Sequence, residues 1–295
     1  MLTDSVYQED HIPTQRERFI KSFRANGLGM FGLWSLLIIV LITLISPWLT
    51  PHDPYQQTSH LLQPPSWDVD GSIEYFLGTD DLGRDILSRL MVGGQITFAS
   101  TFAITVIAAI IGCTIGSLAG MTKGLISSTL NHLLDTVMSI PSLLLAIIFV
   151  AFWGSDVYTA LFAISVALMP RFIRSTYNAI HQEIEKDYVI ASRLDGANDY
   201  YLFWNSILPN ILPVVIAEFF TALTIAIIDM TALGFLGLGA QGATPEWGTI
   251  IGNSVELVFI ASWTVILPGL AIMSTVIALS IVGEAARDAL NSGVE

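Results

Sequence analysis

Two carboxylates stand where the surrounding sequence is apolar, and they are the first candidates for chemistry. Glu218 and Asp229 lie in the stretch that runs from Ile211 past Ile228. An offset of eleven residues at about 100° per residue returns to within about 20° of the same helix face, with about 16 Å between the two groups along the axis. At that separation they cannot share a proton or a water, which argues against an intramembrane aspartyl protease. A bare carboxylate in lipid is costly, so embedded acids face a cavity or a partner. No Lys or Arg is expected deep enough in any span to neutralise them. The expectation is a translocation path lined by this face; the alternatives are hydrogen bonds to Thr221, Thr224 or a neighbouring helix, or proton relay in a secondary transporter. No catalytic residue is assigned. Metal chemistry is not indicated either: His11, His52, His60, His132 and His181 are scattered, and Cys113 is the single cysteine. A phosphate-binding loop G-x-x-x-x-G-K-[ST] is missing, Lys123 standing in Gly120-Met-Thr-Lys-Gly124, so the chain is expected to bind no ATP and no other cofactor itself.

The second candidate is a polar stretch over 183–209. Glu183-Ile-Glu-Lys-Asp-Tyr-Val-Ile-Ala-Ser-Arg-Leu-Asp195 favours a helix, Gly196 is placed to end it, and Asn198 can cap a second short helix reaching Trp204. Tyr188, Ala191 and Ser192 share one region of the first helix, and the small pair would let another protein approach closely. Phe203 and Trp204 add bulky apolar surface. The other reading of the same features is an amphipathic hairpin resting on lipid headgroups.

The elements that hold these residues follow from composition. Of 295 residues, 53% are hydrophobic and only 13% charged, against roughly 25% charged in soluble domains. The net charge of −13 excludes a nucleic-acid partner. Apolar runs of bilayer length, the fifth despite carrying Glu218, predict six transmembrane helices in an all-α membrane protein. The first covers 28–46, as an uncleaved anchor. The second embeds about 98–118, and the third covers 136–155 with Pro141 tolerated inside it. The fourth starts at Val157, with Arg171 and Arg174 snorkelling; the fifth covers 211–228, and the sixth lies within 257–283. Ten of the 12 Lys and Arg residues fall at the N-terminus, near Lys123, over 171–209 and at the C-terminus, leaving Arg84 and Arg89 in the other loops. The positive-inside rule then places both termini and the 183–209 loop in the cytoplasm. The resulting division is a cytoplasmic segment 1–27, the first helix, a periplasmic loop 47–89, a core 90–283 and a cytoplasmic tail 284–295.

Tyr188-Val-Ile-Ala-Ser-Arg-Leu-Asp-Gly-Ala197 followed by Ser206-Ile-Leu-Pro-Asn210 resembles the EAA loop of permease subunits from bacterial ABC importers. Gly196, Leu208 and Pro209 match that pattern, whereas Ile190, Ser192 and Ser206 depart from it. The resemblance implies the type I importer permease fold with a cytoplasmic coupling helix, in which Tyr188, Ile190, Ala191, Ser192, Gly196, Ala197, Leu208 and Pro209 seat against a separate ATP-hydrolysing subunit. Phe76-Leu-Gly-Thr-Asp-Asp-Leu-Gly-Arg-Asp-Ile-Leu-Ser-Arg89, and Leu233-Gly-Phe-Leu-Gly-Leu-Gly-Ala-Gln241 with Thr244-Pro-Glu-Trp-Gly248, are similar to segments of the dipeptide/oligopeptide permease branch. The implied partners are a second, B-type permease subunit, two ATP-binding subunits, a periplasmic substrate-binding protein and membrane lipid. The implied cargo is peptide, cationic antimicrobial peptides included, with polyamine or haem as alternatives. The family's Gln-Pro-Pro is Gln241-Gly242-Ala243 here, which predicts a more flexible outer loop.

Three local expectations complete the reading. Thr79 should cap an interfacial helix with Asp80 and Asp81 in its first turn and an Asp85–Arg89 pair one turn on. Gly112, Gly116 and Gly120 form a small-xxx-small register that lets another helix approach, within the chain or across a subunit seam. The outward acids Asp53, Asp68, Asp70, Glu74, Asp80, Asp81 and Asp85 give a negative outer surface compatible with positively charged cargo.

Overall fold

The computed structural model describes residues 15–122, 125–240, 242 and 244–291. Lys123, Gln241 and Ala243 lie outside the described residues, and so do the expectations attached to them.

A short amphipathic helix, α1 (Gln15–Ala25), leads into α2 (Gly27–Leu49), whose start is capped by the Asn26 side chain accepting from Gly29 N at 2.9 Å. After an irregular lobe come α3 (Ile86–Met121), α4 (Leu125–Met138), α5 (Ser142–Trp153) and α6 (Val157–Ile184). Two short helices succeed them, α7 (Asp187–Leu194) and α8 (Asp199–Leu202), and a π-helical turn over Phe203–Ile207 runs directly into α9 (Leu208–Phe235). The chain then forms α10 (Trp247–Ser254) and α11 (Trp263–Asn291). The long helices α2, α3, α6, α9 and α11 are each long and apolar enough to cross a bilayer.

The third span differs from its expected form. Pro141 sits at the N-cap of α5, not inside a continuous helix, and the α4 and α5 axes bend by 83° across the break. Proline lacks the N–H that would continue the ladder and disfavours the helical conformation for the residue before it. Counting that bent pair as one span gives six. The fourth span runs well past Arg171 and Arg174 to Ile184, which leaves only about two dozen residues of the 183–209 region outside long helices, where an end of the span near Arg171 would leave about 38, unusually long for a bare connection.

The expected interfacial helix at 79–89 is not formed. Residues 79–85 make a turn, and the helix that begins at Ile86 is α3 itself, capped by Asp85 accepting from Ser88 N at 2.8 Å. Asp80 explains the difference. Its carboxylate accepts from Leu82 N, Arg84 N and Arg84 Nε within 3.0 Å and lies 3.6 Å from Arg89 Nε, so it organises a buried turn instead of a helical first turn. Arg89 is drawn to Asp80 and to the Pro54 carbonyl at 3.2 Å, and the Asp85–Arg89 pair does not form. Trp263 Nε1 donates to Thr79 O, tying this lobe to the start of α11.

The bundle is assembled on α3 and α6. Gly112, Gly116 and Gly120 of α3 lie directly on α6: a β-carbon at Gly112 would meet Phe172 Cβ at 2.5 Å, at Gly116 the Ile173 carbonyl oxygen at 2.6 Å, and at Gly120 Ile180 Cβ at 3.0 Å. The rising numbers on both helices show that they run parallel, with Met121 and Ile184 at one end. This register packs within the chain. The core beside it joins Ile104, Ala108, Ala146, Val150, Ile164, Leu168, Phe172, Ala226, Met230 and Leu233 from α3, α5, α6 and α9.

Because helix backbones touch at Gly116, Gly116→Leu should push α3 and α6 apart and cost about 1–3 kcal/mol, whereas Gly120→Ala, which adds one methyl against side-chain atoms of Ile180 at 3.0 Å and not against backbone, should cost less. Thermal denaturation of the detergent-solubilised variants measures the order; equal stability of Gly116→Leu and wild type would contradict the packing.

Candidate functional site: the hairpin and the acidic face of α9

The hairpin is built as its residue types require. Gly196 adopts φ +94° immediately after α7, a backbone region that β-carbons disfavour. Asn198 caps α8 by accepting from Tyr201 N at 2.8 Å. Pro209 has no N–H for the carbonyl of Asn205, and the helix widens there: Leu208 N reaches back to Phe203 O, making the π turn. Val189, Leu202 and Ile207 are buried, and Ile207 joins Ala179, Ile180 and Ile211 in a small core at the ends of α6 and α9. The outer surface is apolar despite its setting, with Ile190, Leu194, Tyr200, Tyr201 and Trp204 exposed. Ser192, Asp195, Gly196, Ala197, Asn198 and Tyr201 surround an open hollow of about 480 Å3 at its tip.

Of the candidate hairpin residues, Ser192, Gly196 and Ala197 line that hollow, Ile190 and Ala191 are exposed on α7, and Leu208 and Pro209 form the root of α9. Tyr188 has a different place. Its hydroxyl donates to the Glu183 carboxylate at the end of α6 and accepts from Asn210 Nδ2 of α9 at 2.8 Å, with Ser206 O at 3.3 Å. Burial first, and then the hydrogen bond to Glu183, pushes the Tyr188 phenol up, so it remains a proton donor. Glu183 is buried and is also held by Lys186 Nζ at 2.8 Å.

Glu218 and Asp229 share one flank of α9, and Glu218 is not bare. Arg171 Nε of α6 lies 2.9 Å from Glu218 Oε1. The expectation that no cation reaches these acids is therefore corrected. An interfacial Arg171 requires the fourth span to end near it; with α6 continuing to Ile184, the guanidinium stays at the level of Glu218. One turn along, Arg174 pairs with Asp135 of α4, so α6 is linked by ion pairs to a helix on each side. Asp229 is buried, with Ser142 at the start of α5 the polar side chain beside its carboxylate, and its Oδ2 has no hydrogen-bond partner among the described residues. The partners of the two acids meet: Ser142 and Arg171 both line a cavity of about 180 Å3 at the α4–α5 break, with Pro141, Pro170 and Ile225.

A third carboxylate emerges only from the fold. Glu246 is fully buried and caps α10, accepting from Gly248 N and Thr249 N at 2.9 and 2.8 Å, from Thr249 Oγ1 at 3.0 Å and from Thr97 Oγ1 of α3 at 3.2 Å. Burial pushes its carboxyl up, opposed by those hydrogen bonds. Its signal is present in Thr244-Pro-Glu-Trp-Gly248, an acidic residue ahead of a helix start. Of the acids expected to face outward, Asp80 and Asp85 are buried in the turn before α3, whereas Asp53, Asp68, Asp70, Glu74 and Asp81 are more open to solvent.

A membrane bundle with one broken span, an outer lobe and a hairpin projecting between two long helices defines a transport permease. A family model described as binding-protein-dependent transport system inner membrane component matches residues 112–295, and a second, the N-terminal TM domain of oligopeptide transport permease C, matches residues 14–65. The chain belongs to this family of bacterial inner-membrane permeases. It is 46% identical over 99% of both chains to the peptide transport system permease protein SapC of Salmonella typhimurium. It is 42% identical to the dipeptide transport system permease protein DppC of Escherichia coli K12, covering 94% of this chain and 93% of that one. In structure it resembles a chain of the MetNI methionine ABC transporter in an inward-facing conformation, with a TM-score of 0.56 and 20% identity over 70% of this chain and 97% of that chain. The fold is thus the type I ABC importer permease fold.

The Arg171–Glu218 pair is testable by charge exchange. Arg171→Glu should destabilise the protein, and adding Glu218→Arg should recover stability, with a coupling of about 1–3 kcal/mol. A double-mutant cycle on thermal stability measures it; simple additivity would show that the two side chains act independently.

Proposed function

We propose that this chain is one half of the channel of an ATP-driven peptide importer. It pairs with a second, B-type permease subunit, two ATP-binding subunits and a periplasmic substrate-binding protein. Both termini and the hairpin lie in the cytoplasm, and the lobe over 50–85 faces the periplasm. The observation that carries the reading is the hairpin: an exposed apolar surface with an open hollow, rooted in a buried core shared by α6 and α9. A surface of that kind outside the bilayer needs a protein partner. The names of the SapC and DppC relatives support peptide as cargo.

ATP-driven closure of the two motor subunits moves the hairpin, and α6 and α9 follow as rigid bodies, changing which end of the bundle is open. The α9 face carrying Glu218 and Asp229 borders the path, and the cavity at the α4–α5 break is the stretch of path beside it. A discontinuous helix is tolerated at membrane depth where it is buried in protein or lines a cavity. The periplasmic lobe exposes Trp67, Val69, Ile73 and Phe76 among Asp68, Asp70 and Glu74. That mixture suits a protein partner with basic groups around an apolar contact, and the carboxylates favour positively charged peptides over anionic ones near the entrance.

Ala191→Glu, on the exposed face of α7, should abolish co-purification of the ATP-binding subunits while leaving the permease folded, and the permease alone should drive no uptake in liposomes. Uptake by the isolated chain would instead establish a secondary transporter. Asp229→Asn should lower peptide uptake by about tenfold with the subunits still bound; unchanged uptake in both Asp229→Asn and Glu218→Gln would remove the acidic face from the path.

A further inference from the structure

The hairpin makes few polar connections to the long helices. Within α7 only Val189 is buried, Ser192 Oγ bonds back to the Tyr188 carbonyl, and Arg193 pairs with Asp199 inside the hairpin itself. Among the described residues, Tyr188 is the α7 side chain that hydrogen-bonds to both α6 and α9. A phenol carries one hydrogen and can accept two. That hydrogen has two acceptors within reach, the Glu183 carboxylate of α6 and the Ser206 carbonyl of the π turn at 3.3 Å, while Asn210 Nδ2 of α9 donates to the same oxygen at 2.8 Å. Asn210 Nδ2 also donates to Ser206 O at 2.7 Å. The two sides of the hairpin root therefore converge on one oxygen atom, at the point where α9 is widened and least able to hold its own register.

We propose that Tyr188 is a positioning residue for transport: its hydroxyl is the pin through which displacement of the docked hairpin reaches α6 and α9 together. This deepens the coupling reading above and rests on it. Docking belongs to the exposed apolar face and the hollow, none of which needs the hydroxyl. Transmission needs it, because without it α7 keeps no side-chain hydrogen bond to α6 or α9 among the described residues and is held by the packing of Val189, by the Lys186 linker with its ion pair to Glu183, and by α8 and the π turn. In that state the hairpin can follow the motor while the long helices lag.

The test uses the complete complex of both permease subunits, the ATP-binding subunits and the binding protein in proteoliposomes. Tyr188→Phe should retain all subunits and hydrolyse ATP within twofold of wild type, while uptake of a tritiated dipeptide per ATP hydrolysed falls at least fivefold. Asn210→Leu, which removes the α9 side of the pin, should do the same. Glu183→Gln keeps an acceptor oxygen and should stay within twofold. Hydrogen exchange over 174–184 and 208–218, compared with and without ATP and vanadate, gives a readout independent of cargo: the nucleotide response should be present in wild type and absent in Tyr188→Phe. Wild-type uptake per ATP and a wild-type exchange response in Tyr188→Phe would overturn the pin. Loss of the ATP-binding subunits from Tyr188→Phe would overturn it too, making Tyr188 a docking contact. A wild-type complex that never retained those subunits would instead remove the coupling reading on which the pin rests.

Discussion

The close approach of α3 and α6 is the constraint on which the rest depends. In lipid no hydrophobic force separates helix from tail, so association relies on van der Waals contact and on polar bonds between helices. Glycine at three successive turns of α3 lets the α6 backbone lie within contact distance along its inner half. That seam fixes α6 in rotation and in height. α6 carries Arg171 and Arg174 at one level, Glu183 at its end and the hairpin beyond. A residue with a β-carbon in the seam would change not one contact but the position of all of these.

Electrostatics then distribute what packing has placed. Charges near apolar surroundings are costly unless paired, and two cations of α6 are each met by a carboxylate from another helix: Arg171 by the partly buried Glu218, Arg174 by the exposed Asp135. The acids of α4 and α9 thus join helices that hydrophobic burial alone would leave free to slide. Such pairs are directional, so they tolerate one relative placement of α4, α6 and α9 and penalise others. The lobe before α3 instead holds buried charges, with Asp80, Asp85 and Arg89 locked into the turn that leads into α3.

Much of this is legible in the sequence, for identifiable reasons. Long apolar runs mark spans because the bilayer sets their length, and the hairpin shows itself through Gly196 and Asn198, whose conformational roles are local. The same locality explains the failures. Thr79 has the form of a helix cap, but Asp80 finds Arg84 and Arg89 in space, and three buried charges outweigh a first turn that any sequence window would suggest. Arg171 reads as interfacial because the length of α6 cannot be followed across Pro170. Glu218 therefore has no visible counter-charge, its partner standing 47 positions away. The bend at Pro141 reads as a tolerated proline because whether a freed carbonyl is satisfied depends on neighbours that only the folded bundle supplies. Tyr188 stands out in sequence for its location beside Ala191, but its bonds to Glu183 and Asn210 join residues five and twenty-two positions apart, a relation no periodicity encodes.

The widened turn over Phe203–Ile207 bears on how such a molecule can vary. An extra residue in one helical turn rotates the rest of the helix by about 100°, so the aromatic side of the hairpin and the charged side of α9 are out of phase by that amount. Losing a single residue there would restore a regular ladder and swing the hairpin's outer surface around the axis, while the bundle itself stayed as it is. The orientation of the hairpin relative to the bundle is thus set at one joint, by the length of this turn.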